Sequence, residues 1–168
     1  MDQLPTTVNL TAHHWHPILV HLNVGILVLA AIMLITAAYT RQKAFHPKLL
    51  QMGLFHLWLG AGLMIVTIIT GWTAYFALPL EGEALAAMYH HRDFALYTSV
   101  GFLLALVMQL LWYSETPMVR VPTAMVLGCA LALLVYTIYR GTLLVYVHGA
   151  AVGGITAPQS HSEHSGHY

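Results

Sequence analysis

Four long apolar stretches, separated by short polar breaks, leave this chain very few ways to fold. They run from about Pro17 to Tyr39, Leu49 to Leu78, Arg92 to Tyr113 and Val121 to Val147. Each reaches the roughly 20 residues a helix needs to cross about 30 Å of hydrocarbon. Only 7% of the 168 residues are charged and 58% are hydrophobic, whereas a soluble domain carries about 25% charge. A backbone facing lipid must satisfy its own hydrogen bonds, and no barrel-like alternation appears, so the stretches read as helices. Short connections make neighbours antiparallel. The expected fold is all-α, a membrane-spanning up-down-up-down four-helix bundle.

The charges that remain orient it. Arg41, Lys43 and Lys48 fall in the first loop and Arg120 in the third, while neither end of the chain carries Lys or Arg. By the positive-inside rule both odd loops face the cytoplasm and both termini face outward. The expected organisation is an outer segment over 1–16, the transmembrane domain over 17–148 and a His/Ser/Gly-rich outer tail over 149–168. The setting is the bacterial inner membrane, as a multi-pass protein in contact with lipid. The charge-poor start lacks the basic region of a cleaved signal peptide. Trp15, Tyr39, Trp72, Tyr75, Tyr113 and Tyr146 gather at the interfaces as an aromatic belt. Gly60, Gly62, Gly128 and Ala130 suit close helix packing. Pro17 and Pro122 suit first helical turns, Leu78 to His90 reads as a short amphipathic turn, and no internal repeat is discernible.

Several functions are excluded early. Six basic residues balance six acidic ones, so no basic field exists to hold nucleic acid. The single cysteine, Cys129, rules out an intramolecular disulfide, a CxxC zinc site and a thiolate-held iron–sulfur cluster. No hydrolase or kinase constellation is present.

The unusual residue is histidine, with twelve copies against six Lys and Arg. His13, His14 and His16 precede the first helix, and His21 lies about a turn inside it. His90 and His91 open the third helix, and His148 closes the fourth. At a rise of about 1.5 Å per residue, His16, His21, His91 and His148 all fall within about two turns of the outer surface. His46 and His56 belong to the inner half. Taken singly, an imidazole near an interface needs only water or a headgroup as partner. Three helices supplying imidazole at one depth call for more, because polar groups inside a bundle are rare and functional by default.

Among cofactors, structural zinc usually brings cysteine and hard cations want carboxylates that the spans lack. Haem b fits the imidazoles better. The first and third helices are diagonal and parallel, so His21 and His91 would enter from opposite sides at similar height. Arg92 adjoins His91, and Arg140 lies two turns inside the fourth helix, where an unpaired guanidinium is expensive. A haem propionate would pair with it in fork geometry; snorkelling, or pairing with Asp93, is the ordinary alternative. The tail histidines His161, His164 and His167 would form at most a weak chelator.

Two segments carry a resemblance. His16-Pro17-Ile18-Leu19-Val20-His21 opens the first helix, and Gly141-Thr142-Leu143-Leu144-Val145-Tyr146-Val147-His148-Gly149 closes the last. In these motifs, and in a histidine opening the third helix, the chain resembles the bacterial four-helix membrane family of unknown function DUF2231, from His16 to Val152. Where that family often has Phe-Pro after the second histidine, this chain has Leu22-Asn23. The resemblance implies a membrane redox context and supports His16, His21, His91 and His148 as a set. Together the residues and the resemblance lead to an electron-transfer subunit rather than a stand-alone enzyme. It would bind one or two haem b groups near the outer face. It would exchange electrons with a c-type cytochrome or with quinone, alongside other redox subunits of a larger complex. The rivals are a non-haem Cu, Zn or Fe site and a cofactor-free anchor subunit.

Overall fold

A computed structural model describes residues 12–78, 80–111 and 117–150. The chain is an all-α bundle of four membrane-length helices: α1 (Ala12–Tyr39), α2 (His46–Ala77), α3 (Gly82–Leu111) and α4 (Pro117–Tyr146). All four are long and apolar enough to span a bilayer, and their large outward side chains, such as Ile32, Phe55, Val100 and Met125, are exposed as a lipid-facing surface requires.

All four helices begin earlier than their apolar stretches, α2 only slightly, at His46 rather than near Leu49. α1 starts at Ala12, which puts Pro17 inside the helix where its missing N–H removes one helical bond. α4 starts at Pro117, again with Pro122 interior. α3 differs most, because it starts at Gly82 rather than near Arg92. Glu83-Ala84-Leu85-Ala86-Ala87-Met88 are strong helix formers, and an acid in the first turn complements the helix dipole. His90 and His91 therefore lie more than two turns inside α3 instead of opening it. Gly149, at φ 65, turns the chain out of α4, and the Ala150 N–H donates back to the Leu144 carbonyl at 3.1 Å.

Packing divides the bundle into two hairpins. α1 packs mainly on α2 and α3 mainly on α4, with slighter contact of α1 with α4 and of α2 with α3. Backbones approach closely within each hairpin. A Cβ on Gly60 of α2 would lie 2.5 Å from Leu27 Cδ2, and one on Gly101 of α3 would lie 3.0 Å from the Ala130 Cβ. Leu27 is itself fully buried, so it has nowhere to retreat. Gly60→Val is accordingly expected to destabilise the bundle by about 1–3 kcal/mol, the usual cost of overpacking, read as a lower unfolding midpoint in detergent.

The two hairpins repeat one another. Buried positions of α1 recur in α3 at a spacing of 75 residues: Asn23 with Thr98, Leu27 with Phe102 and Ala30 with Ala105. Those of α2 recur in α4 at a spacing of 70: Leu57 with Leu127, Met64 with Leu134 and Ala74 with Leu144. Exchanging the hairpins keeps the order of the contacts, close within each hairpin and slight between them, as in parallel repeats related by a pseudo-two-fold axis along the bundle.

Candidate functional site

The repeat carries polar chemistry at one end of the bundle. On α1, half-buried His16 turns inward and its Nδ1–H donates to the Thr67 carbonyl of α2 at 3.1 Å, with the Thr70 hydroxyl 3.3 Å away. Its ring fills the space over Gly71, where a Cβ would meet Cε1 at 2.7 Å. On α3, His91 makes the matching arrangement. Its Nδ1–H donates to the Thr137 carbonyl of α4 at 3.2 Å, and a Cβ on Gly141 would meet its Cε1 at 3.0 Å. His16 with His91 keeps the spacing of 75, and Thr67 with Thr137 and Gly71 with Gly141 keep the spacing of 70.

The local sequence explains the geometry. A carbonyl oxygen only accepts, so Nδ1 of each ring carries the proton and Nε2 of the neutral imidazole is left with its lone pair. Thr67 and Gly71, like Thr137 and Gly141, are four residues apart and share one helix face. The glycine admits the ring and the threonine carbonyl one turn earlier fixes its tautomer. This is the backbone-carbonyl support given to metal-ligating histidines. The two rings sit on diagonal helices and are electrostatic neighbours of each other.

Below the pair the interior stays polar. Asn23, two turns beyond His16 on the same face, is buried and its Oδ1 has no partner. Its counterpart Thr98 is satisfied, with its hydroxyl 2.9 Å from that of Thr137.

The other expected site residues are placed differently. His21 is exposed and its Nδ1–H donates to the Pro17 carbonyl of its own helix at 2.6 Å. Five residues of helix turn it about 140° from His16, so the structure brings His16, not His21, to His91. His148 is half-buried at the end of α4, two turns past Gly141, and is not joined to the pair in a metal-type cluster among the described residues. Arg92 is engaged: its Nε and Nη2 donate to Asp93 Oδ1 at 3.0 and 2.8 Å, and its guanidinium lies over the Tyr89 ring at 5.0 Å. Arg140 is not. It is a charged neighbour of His91, its Nε is buried without a partner, and Asp93 is engaged by Arg92.

His46, at the start of α2 and the opposite end of the bundle, is buried with Nδ1 unpartnered, and His56 donates to the Met52 carbonyl of its own helix. The side chains of His13, His14 and the tail histidines His161, His164 and His167 lie outside the described residues.

Thr67, Gly71, Thr137, Gly141 and Asn23 are site residues that sequence reasoning did not select. The signal that marks four of them is Thr-Ile-x-x-Gly, present at 67–71 and again at 137–141. The family model described as "Predicted membrane protein (DUF2231)" matches residues 12–154. No curated protein and no solved structure matches the chain.

Proposed function

The chain belongs to the DUF2231 family of predicted membrane proteins, and from its paired histidines we propose that it is a haem b-binding electron-transfer subunit. The observation that carries this reading is the donor set. His16 and His91, one on each hairpin, have Nδ1 committed to a backbone carbonyl, which leaves each Nε2 with its lone pair. No cluster of three or more His, Cys, Asp or Glu forms among the described residues. Zinc and non-haem iron sites take three or four protein donors. A porphyrin brings four nitrogens of its own and asks the protein for one or two axial ligands, so two imidazoles complete the set. The orphaned Nε of Arg140 fits the same group, which carries carboxylates.

Held by His16 and His91, haem would supply a one-electron couple, which suits electron transfer. The protein's part is to hold both rings in one tautomer from two backbone carbonyls. It also half-buries both rings among the helices. The basic residues Arg41, Lys43 and Lys48 lie at the opposite end from the pair, which under the positive-inside rule supports a histidine end at the outer face of a bacterial inner membrane. A c-type cytochrome or membrane quinone would be met there, within a larger redox assembly.

The test is a reduced-minus-oxidised visible spectrum of the detergent-purified protein with pyridine haemochrome quantitation. The expected result is a six-coordinate b-type spectrum with about one haem per chain, one being what a single imidazole pair can hold. A colourless, folded preparation from haem-replete cells overturns the reading.

A further inference from the structure

The pseudo-two-fold relation makes the two sides of the site directly comparable, and at one position they differ in charge. Thr70 on α2 and Arg140 on α4 keep the spacing of 70 residues. Thr70 is neutral and satisfied, because its hydroxyl donates within α2 to the carbonyls of Val66 and Thr67 at 3.1 and 3.0 Å. Arg140 is a cation with a buried, unpartnered Nε beside His91. Among the described residues it has no ion pair, Arg92 having taken Asp93. Holding an unpaired guanidinium inside a bundle is costly, and such groups pair with whatever lines the cavity. A guanidinium fork matches a carboxylate bidentately.

We propose that Arg140 is the carboxylate-binding residue of this site, so that only the α3–α4 hairpin reads the anionic edge of the ligand while the α1–α2 hairpin is blind to it. This rests on the haem reading above and deepens it, by assigning recognition of the ligand's carboxylates to one hairpin alone. Haem could be held by its axial bonds alone, with its propionates solvated at the bundle end. The position in the repeat gives a sharper corollary. An arginine moved to the equivalent place on the other hairpin meets the same site from the opposite side, so carboxylate recognition is transferable between hairpins.

The experiment uses the full chain from haem-deficient cells and compares binding of iron protoporphyrin IX with binding of its dimethyl ester, which keeps the iron and ring but has no carboxylate. Wild type is expected to prefer the diacid by about 10- to 100-fold, the range that a charge-assisted hydrogen bond spans. Arg140→Gln should lose that preference while still binding the ester like wild type, and Arg140→Lys should keep part of it. Thr70→Arg combined with Arg140→Thr should restore it. Equal binding of both porphyrins by wild type, or an unchanged preference in Arg140→Gln, overturns the role of Arg140 and leaves the haem reading standing. Failure of wild type to bind either porphyrin overturns both. If Arg140→Gln does not fold, the Lys variant and the exchanged pair carry the same comparison.

Discussion

Alanine at either His16 or His91 is expected to remove the six-coordinate b-type spectrum, while alanine at His21 is expected to leave it. The contrast follows from placement rather than residue type. All three rings have Nδ1 on a backbone carbonyl, but His16 and His91 reach across to a neighbouring helix and turn inward. His21 bonds within its own helix and faces lipid. Loss of a group that merely supports a ligand weakens metal binding about 10- to 100-fold, so loss of the ligand itself should exceed about 100-fold. Haem per folded chain, with helical circular dichroism as the folding control, decides it. A six-coordinate spectrum surviving in His16→Ala would remove that residue as a ligand. Loss in His21→Ala with a normal fold would return the pair to His21 and His91.

The second large effect is expected at the glycines. On intrinsic propensity, replacing a helical glycine by alanine should stabilise α2 or α4 by up to about 1 kcal/mol. The space over Gly71 argues the other way for the site, because a Cβ there would stand 2.7 Å from His16 Cε1. Either the ring or the helix must move, and the ring's one strong tie is the 3.1 Å bond to Thr67. Gly71→Val is therefore expected to cost haem retention about 10- to 100-fold, as loss of a supporting bond does, with the fold intact. Gly141→Ala, whose Cβ would stand at 3.0 Å, should do less than Gly71→Ala. A more stable Gly71→Val protein with wild-type haem content would mean the ring position is irrelevant to binding.

The architecture was legible because a bilayer leaves few choices. Charge-poor stretches of sufficient length, with the basic residues in alternate loops, define the number of spans and their antiparallel order. Depth along the helices was also legible, since rise per residue is constant, and it drew attention to His16, His21, His91 and His148. Azimuth was the harder quantity. His16 and His21 share a depth and a helix but differ by about 140° in direction. Only the packing partner decides which direction is inward. The start of α3 was misplaced because Glu81, Glu83 and the polar run from His90 to Asp93 interrupt the apolar pattern, although Ala, Leu, Met and Glu are good helix formers. The repeat was hidden for a related reason. What the hairpins share over most of their length is the burial of facing positions, as when Leu27 is matched by Phe102, more than residue identity. Thr-Ile-x-x-Gly is short enough to look accidental until both copies are seen beneath a histidine.

The division of the histidines between hairpins also governs the order of biosynthesis. α1 and α2 can insert and pack as soon as they are made, with His16 docked on Thr67, but His91 arrives only with α3, and its supporting carbonyl only with the second half of α4. Neither half holds a complete donor pair. A nascent chain therefore cannot complete the supported imidazole pair before most of its last helix has been made, and the pair forms only once the whole bundle is assembled.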